Sequence, residues 1–334
     1  MMQRLKLVLL FFSLTLNADQ VSFSFYNDVF AGTDRHFTNG ISFSWLDDTY
    51  RASHNDNNKS SSYSNFTGKI VETLPFISPD RVKNYNAGIS ISQIMITPKD
   101  ISVTTPQYND LPYVGHLVLS FFMFEWDEKS FTEYRIESGV VGKESGTKFV
   151  QNIAHKFVSD TETKGWDTQL GTKYTINTLF RFGEISWEKN NINWLSMDWF
   201  NHFGVQAGNF MIDAFGGTMF RIGDNYARSF NLHYPYLKEE ASLLRLDKKH
   251  EDDLGWSLSI GANGSLMAYS YILDEAKKEG YATDKNIINI SLYAGADLYY
   301  DVHKLTFFYQ TQPHYTTQQK KIDIFGGLVY SFQF

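Results

Sequence analysis

The sequence predicts an all-β protein that folds as a transmembrane antiparallel β-barrel of about twelve strands, with a short helix in an external loop. Three observations support this prediction. The C-terminal segment alternates between apolar and polar residues, aromatic residues make up 16% of the chain with only seven prolines, and no apolar run beyond the N-terminus is long enough for a spanning helix. This composition suits many short amphipathic strands.

The N-terminus has the pattern of a cleaved secretory signal. Arg4 and Lys6 precede an apolar run at 7–16, which is followed by Asn17 and the small residue Ala18. A spanning helix needs about 20 apolar residues, and this run is shorter. We therefore expect a signal peptide at 1–18 and an outer-membrane β-barrel at 19–334.

The last strand shows the barrel pattern most clearly. One of its faces carries Ile322, Ile324, Leu328, Tyr330, Phe332 and Phe334, and the other carries Asp323, Ser331 and Gln333. Apolar residues that face lipid and polar residues that face a lumen are typical of membrane strands. A closed barrel with an even number of strands follows, because lipid offers no hydrogen-bond partner to an open sheet edge.

Charged residues on two central strands are expected to pair inside the lumen. Glu133, Arg135 and Glu137 share one face of a strand, and Lys173 and Arg181 lie on the polar face of the next. We interpret these charges as packing that fills the barrel.

Ten strands can be placed from the pattern, and the segment 190–250 is long enough for two or more others. The ten are 20–29, 37–47, 87–97, 113–125, 130–142, 170–187, 255–271, 285–300, 303–315 and 322–334. Two further strands around 69–76 would not change which rim the later loops reach.

Strand parity brings two loops to the same rim. If the N-terminus starts in the periplasm, the loops 30–36 and 143–169 are both external. The second has helical spacing, with an apolar stripe of Val150, Ile153, Ala154 and Phe157 and with Thr147 as a candidate cap. The opposite side carries Gln151, Asn152 and His155. This helix is expected to cover the outer wall or the mouth of the barrel.

An acidic residue breaks the pattern where the first strand ends. Asp28, with oxygens from Asn27 and Thr38, has the ligand chemistry of an open site for a hard cation such as Ca²⁺. The other interpretation is an Asn-Asp pair that satisfies the donors of a turn. His155 has two interpretations as well, a general base or a solvated helix residue.

Other kinds of site are not supported. The net charge of -7 and the lack of cysteine argue against nucleic-acid partners, disulfides and thiolate chemistry. No G-x-S-x-G or H-E-x-x-H motif occurs.

Several segments together resemble one family. The stretches YND and TDRHFTNGISFSW, then QIMITPKDI, NDLPYVGHL, and finally VQNIAHKF with KGWDTQL are similar, in this order, to the outer-membrane lipid A 3'-O-deacylases of the LpxR type. The resemblance covers nearly the whole chain after the signal. It implies a twelve-stranded barrel in the outer membrane, with a helix of an external loop over the active site.

The resemblance also implies a reaction. It predicts Ca²⁺-dependent hydrolysis of the 3'-linked acyloxyacyl group of lipid A at the extracellular rim, by a monomer and in the manner of secreted phospholipase A2. Asn27, Asp28, Thr38 and His155 match the family's active-site residues. The acidic residue that some members place after the histidine is Asp160 or Glu162 here, and only Lys99 represents the basic residues of the second external loop. The alternatives are an outer-membrane phospholipase and a non-catalytic porin or surface-binding barrel.

Overall fold

The computed structural model describes residues 18–31, 36–51, 65–73, 83–151, 163–192, 195–226, 230, 254–319 and 322–333. Twelve long strands run through these residues. They are β1 (Ala18–Asn27), β2 (His36–Asp47), β3 (Asn84–Thr97), β4 (Val114–Trp126), β5 (Ser130–Val141), β6 (Lys173–Ile192), β7 (Leu195–Gly208), β8 (Met211–Asp224), β9 (Gly255–Ser270), β10 (Ile288–Tyr300), β11 (His303–Gln312) and β12 (Asp323–Gln333).

Each strand pairs antiparallel with the next, and β1 pairs with β12, so the sheet closes on itself. A further strand of two residues, Tyr50–Arg51, adds to the start of β3. The prediction of a twelve-stranded barrel is confirmed. The unassigned segment 190–250 supplies two strands, β7 and β8.

Strand polarity defines two rims. We call the end where β1 finishes and β2 begins the upper rim, and the opposite end the lower rim. The loops 98–113 and 142–172 connect strands at the upper rim, together with the first loop. The predicted parity is therefore confirmed, since the segment around Asp28 and the predicted helical loop emerge at the same end.

Burial alternates along the strands as predicted for a membrane barrel. On β10, Ile288 and Ile290 are 67% and 64% exposed, whereas Asn289 and Ser291 between them are 3% and 1% exposed. Apolar residues thus face outward and polar residues face the lumen. The same alternation holds on β12, where Ile324 and Tyr330 are exposed and Ser331 is buried.

Buried ion pairs fill the lumen. The carboxylate of Glu133 lies 2.9 Å from Nε of Arg135 and 2.6 Å from Nη2 of Arg181, and all three side chains are fully buried. The predicted lumen cluster is confirmed for these residues. Lys173 is not part of it, because it is exposed at the very start of β6 on the upper rim. Phe230 packs against the rings of Phe131 and Phe200 close by.

Two short helices, α1 (Phe66–Thr73) and α2 (Tyr271–Lys278), follow β2 and β9. The segment around 69 is therefore helical, and the strands considered there are wrong. Asn65 caps α1 by accepting a hydrogen bond from the Gly68 amide, and Asp47 accepts one from the Thr67 amide. Helix α1 packs its apolar side on the outer wall at the lower rim.

None of the helices in the described part of the chain has the length and apolar character that a membrane crossing requires. The predicted signal segment lies outside the described residues, apart from Ala18 at the start of β1. A cleaved signal peptide remains a prediction.

Candidate active site

The upper ends of β1 to β4 form a row of outward-facing residues. Asn27 pairs with Asn39, Asn39 with Met95, and Met95 with Gly115. On β1 the outward positions include Phe23, which is 43% exposed, while Ser22 and Ser24 face the lumen and are buried. Asn27 follows the outward parity, so a polar side chain lies where a membrane strand usually has an apolar one.

The first loop folds outward over one side of this row. A 3₁₀ turn at Asp28–Ala31 brings the ring of Phe30 within 5.8 Å of Phe25 and 5.9 Å of Phe307. The hydroxyl of Tyr309 on β11 donates to the carbonyl of Phe30 at 3.0 Å. Asp28 begins this turn and is only 2% exposed. Its carboxylate is therefore held at the upper rim within a packed turn, away from bulk water.

Thr38 occupies an irregular position on the neighbouring strand. Phe37 pairs with Ile96 and Asn39 with Met95, so Thr38 is an extra residue of β2 with no residue opposite it on β3. Such a β-bulge bends the strand and changes the direction of side chains, and bulges are frequent beside active sites. The structure thus brings Asn27, Asp28 and Thr38 to adjoining strand ends.

The loop 142–172 folds outward on the other side of the row. Its residues Ser145 and Thr147 lie directly over Gly115, where an added Cβ would meet the Thr147 hydroxyl at 2.2 Å. The amide of Gln93 donates to the Ser145 carbonyl at 2.6 Å. The described residues of this loop, 142–151 and 163–172, thus lie on the outer wall, which is one of the two positions predicted for it.

A helix begins in this loop at residues 147–151, as predicted. Val150, the described member of the predicted apolar stripe, packs against the cluster of Met95, Tyr113 and Trp166 and so faces the barrel. Ile153, Ala154 and Phe157 lie outside the described residues. Thr147, the candidate cap, instead lies in the first turn, where its hydroxyl bonds that of Ser145 at 2.7 Å.

A second turn fastens the loop to the wall. The 3₁₀ turn Gly165–Thr168 carries Trp166, which is fully buried. Its ring centroid lies 5.1 Å from that of Tyr113 with the two rings tilted, and its indole N–H donates to Oε1 of Gln151. Gln151 was predicted on the polar side of the helix, but it is buried because it serves as this acceptor. Burial raises the pKa of Tyr113 to about 12, so its hydroxyl stays neutral against the Ile101 carbonyl.

An ion pair on the surface joins the two parts of the loop. Lys148 lies 2.7 Å from the carboxylate of Asp167. The hydrogen bond from Lys148 holds the pKa of Asp167 below its usual range. Both side chains are largely exposed, so this pair orients the loop more than it stabilises it.

The upper ends of β1 and β2 lie between these two outward folds. The barrel order runs β11, β12, β1, β2, β3, β4, with Phe30 over β11 and β12 and the helical loop over β3 and β4. His155 and the candidate acids Asp160 and Glu162 fall outside the described residues. Their expected position rests on the sequence.

Asn39 follows Thr38 in the polar cluster 35–39 that flanks the first loop, and the pattern alone assigns it no role of its own. Asn39 is 4% exposed, and its Oδ1 has no hydrogen-bond partner. Its outward neighbours along β2 are Ile41, Phe43 and Trp45, so a polar residue at this parity was the available signal.

The donors present suit a hard cation. Asp28 offers carboxylate oxygens, Asn27 and Asn39 offer amide oxygens, and Thr38 offers a hydroxyl, which is the all-oxygen chemistry that Ca²⁺ prefers. In the described part of the chain no three or more His, Cys, Asp or Glu residues cluster as a metal site. Among the described residues at these strand ends, the amide oxygens of Asn27 and Asn39 are therefore the side-chain donors available beside Asp28.

An apolar cavity of about 60 Å³ lies on the lumen side of the upper rim, beneath α2. His116 lines it, stacked 4.0 Å from Phe210 and 3.0 Å from the Thr175 hydroxyl. This cavity includes none of Asn27, Asp28 and Asn39. The polar row on the outer wall is thus separate from it.

Comparison with known families decides the classification. The sequence profile of the outer membrane protein LpxR matches residues 5–334. The chain belongs to the LpxR family. LpxR from Salmonella typhimurium has a similar fold, with a TM-score of 0.72 and 14% identity over 94% of this chain and 100% of that one. The β domain of the Bordetella autotransporter BrkA, at a TM-score of 0.46 and 8% identity over 95% of this chain and 100% of that one, is more distant. Among curated proteins none matches the sequence.

Membership in the LpxR family agrees with the architecture. The chain is a multi-pass β-barrel of the outer membrane, and the polar row on its outer wall consists of Asn27 and Asn39 at the strand ends beside Asp28. The resemblance found in the sequence is thereby confirmed at the level of family and fold.

Proposed function

We propose that this LpxR-family barrel is an outer-membrane esterase that removes the 3'-linked acyloxyacyl group of lipid A. The observation that supports this proposal is the polar row at the upper rim, which faces outward between two loops folded onto the wall. A lipid that diffuses in the membrane meets the outer wall, so it can reach these residues without leaving the bilayer. A porin would need its polar residues around an open lumen instead.

The depth of the row suits an amphiphilic substrate. A charge that faces lipid costs roughly 2–4 kcal/mol at the bilayer midplane and about 0–1 kcal/mol near the interface. Asp28 and Asn27 lie at the rim, where this cost is small. The ester bonds of lipid A join its acyl chains to its sugars, so they lie at a similar depth.

The upper rim is proposed to be extracellular. The start of β1 and the end of β12 both lie at the lower rim, which carries the short connections 127–129, 193–194 and 301–302 and the longer ones 48–83 and 225–254. The lower rim is assigned to the periplasm because the N-terminus is expected to start there, which makes 98–113, 142–172 and 271–287 external loops. Lipid A would then meet the rim that carries Asp28.

Asp28, Asn27 and Thr38 would hold Ca²⁺. When bound, Ca²⁺ acts as a Lewis acid that polarises the ester carbonyl and lowers the energy of the negative charge that develops on its oxygen. Asp28 supplies the charge that attracts the ion, and the packed turn Asp28–Ala31 keeps its carboxylate in place. Asn27 and Thr38 orient the ion and the ester from the adjoining strand ends.

His155 is proposed as the general base. It would take a proton from water as the water oxygen bonds to the ester carbonyl carbon. The bond from that carbon to the 3' oxygen of the sugar then breaks, the sugar oxygen takes up a proton, and the acid is released. A positioned base typically contributes about 10²–10⁴ in rate. If the helix continues as its spacing predicts, His155 lies one turn beyond Gln151 on the same side.

The test is deacylation of defined lipid A by the purified protein, followed by mass spectrometry. We expect the loss of one 3' acyloxyacyl group in the presence of Ca²⁺ and no loss with chelator. The rates of His155→Ala and Asp28→Asn should be lower than the wild-type rate by about 100-fold or more. Unchanged rates in both variants would reject the proposed roles. Release of fatty acid from phospholipid but not from lipid A would instead show a phospholipase.

A further inference from the structure

Three properties of Asn39 together indicate that its side chain binds a ligand. Its side chain faces the outer wall, it is 4% exposed, and its Oδ1 accepts no hydrogen bond. Buried polar atoms in folded proteins nearly always have partners. A carbonyl oxygen that is buried yet unpaired at a candidate cation site is therefore expected to find its partner in something that binds there.

The position of Asn39 indicates that this partner is a cation. Asn39 is the register partner of Asn27 on the same face of the sheet, and directly opposite residues have Cβ atoms about 4.5–5.5 Å apart. It follows Thr38 in sequence, and Asp28 follows Asn27. Asn27, Asp28 and Thr38 at these strand ends also carry oxygen atoms of the kind that bind a hard cation.

The number of ligands favours the same conclusion. Ca²⁺ takes about 6–8 oxygens, and Asp28, Asn27 and Thr38 offer at most four. Other side-chain oxygens or water must supply the remainder. An amide oxygen that is already buried and free of hydrogen bonds gives up no other contact when it binds a cation.

We propose that Asn39 is a further ligand of the cation site, binding Ca²⁺ through Oδ1 beside Asn27, Asp28 and Thr38. This inference rests on the proposed function, since it concerns the same cation. It assigns the site a ligand on β2 in addition to the residues that the family resemblance supplied. Asn39 keeps the outward parity of Ile41 and Phe43, because its pairing with Asn27 and Met95 is regular and the bulge at Thr38 begins only beyond it.

The experiment measures Ca²⁺ binding directly. Purified barrels in detergent micelles are titrated with CaCl₂ by isothermal titration calorimetry, and the thermal unfolding midpoint is recorded with CaCl₂ and with chelator. Asn39→Ala should weaken Ca²⁺ binding by about tenfold or more and reduce the Ca²⁺-dependent rise of the midpoint. Asn39→Asp, which keeps the oxygen and adds charge, should bind at least as tightly as the wild type.

Asn201→Ala is the matched control. Asn201 is also an amide on the outer wall, but its Oδ1 already accepts a hydrogen bond from Thr218 at 2.8 Å, and it lies on β7. This variant should bind Ca²⁺ as the wild type does. The electrophoretic shift of folded barrels on heating verifies that every variant is folded, and the Asn39→Asp result holds even where Asn39→Ala folds poorly.

The outcomes separate the two proposals. If Asp28→Asn abolishes Ca²⁺ binding while both Asn39 variants bind as the wild type does, the role of Asn39 is overturned and the proposed site survives. If the wild type binds no Ca²⁺ and deacylates lipid A in chelator, the cation site itself is overturned. Weakened binding in Asn39→Ala together with retained binding in Asn39→Asp supports the inference.

Discussion

Substitution of Gly115 by alanine tests whether the loop 142–172 must lie on the outer wall for activity. A Cβ at this position would stand 2.2 Å from Oγ1 of Thr147, 2.3 Å from Oγ of Ser145 and 2.6 Å from Cβ of Thr147. Ordinary contacts begin at 3.4 Å, so the loop has to move outward by about 1 Å. Overpacking of this kind costs roughly 1–3 kcal/mol.

The consequence for catalysis is expected to be larger than the consequence for stability. A displacement of about 1 Å in a positioning element can lower a rate by about 100-fold, and the displaced helix is the one predicted to carry His155. Gly115 is the second residue of β4, at the end of the wall. Displacement of the loop should therefore relieve most of the overpacking, and the unfolding midpoint of the closed barrel should change little. The assay compares initial rates of lipid A deacylation by mass spectrometry, with unfolding midpoints measured alongside.

Gly171→Ala is the control within the same loop, because an added Cβ there meets nothing within 4 Å. It should retain the wild-type rate. If Gly115→Ala deacylates lipid A within about threefold of the wild type, the docked position of the loop is irrelevant to the reaction, and the argument that places the active site on the outer wall is refuted.

Two other substitutions test a contact of the loop and an ion pair of the lumen, and a third is the control for the second. Gln151→Leu removes the acceptor of the buried Trp166 indole, which costs about 1–3 kcal/mol for the unsatisfied donor; limited proteolysis should cut the loop 142–172 faster, and an unchanged cutting rate would contradict the role of this bond. Glu133→Gln leaves Arg135 and Arg181 without their shared carboxylate, so the free energy of unfolding measured in guanidinium should fall by about 3–5 kcal/mol while the deacylation rate holds. Glu188→Gln, on a partly exposed pair at 3.8 Å, should change stability by about 1 kcal/mol or less.

The sequence predicts most strands of this barrel because the alternation of polar and apolar residues with period two is a local property. Each strand that shows a polar and an apolar face can be placed without knowledge of its neighbours, as on β10 and β12. Strand parity then follows by counting, and it brings Asp28 and the loop 142–172 to one rim. Neither step requires a contact between distant residues.

The strands in the middle of the chain, β7 and β8, could not be placed from the sequence, and the reason is physical. On β7 and β8 the lumen face carries Phe200, Phe215 and Met219, and the outward face of β7 carries Asn201. The polar-in, apolar-out rule fails where aromatic rings fill the lumen. Only the pairing of β7 with β6 and β8 reveals these strands.

The candidate site was predicted in part. Asn27, Asp28 and Thr38 stand out because polar residues cluster where strands end. The bulge at Thr38 and the burial of Asn39 depend on register with β3, and the burial of Gln151 depends on Trp166, fifteen positions later. Tertiary contacts of this kind decide which polar residues line a site, and a linear pattern does not contain them.

The filled lumen explains why the polar row has to lie outside. The cluster of Glu133, Arg135 and Arg181, with the rings of Phe131 and Phe200 nearby, occupies the interior of the barrel. A substrate with several acyl chains cannot enter such an interior, and it gains nothing by leaving the bilayer. Loops that fold outward at the rim, one carrying Phe30 and the other Trp166, place polar groups beside the lipid instead. In this barrel the wall between those two loops is therefore the place where a membrane lipid and a buried carboxylate can meet.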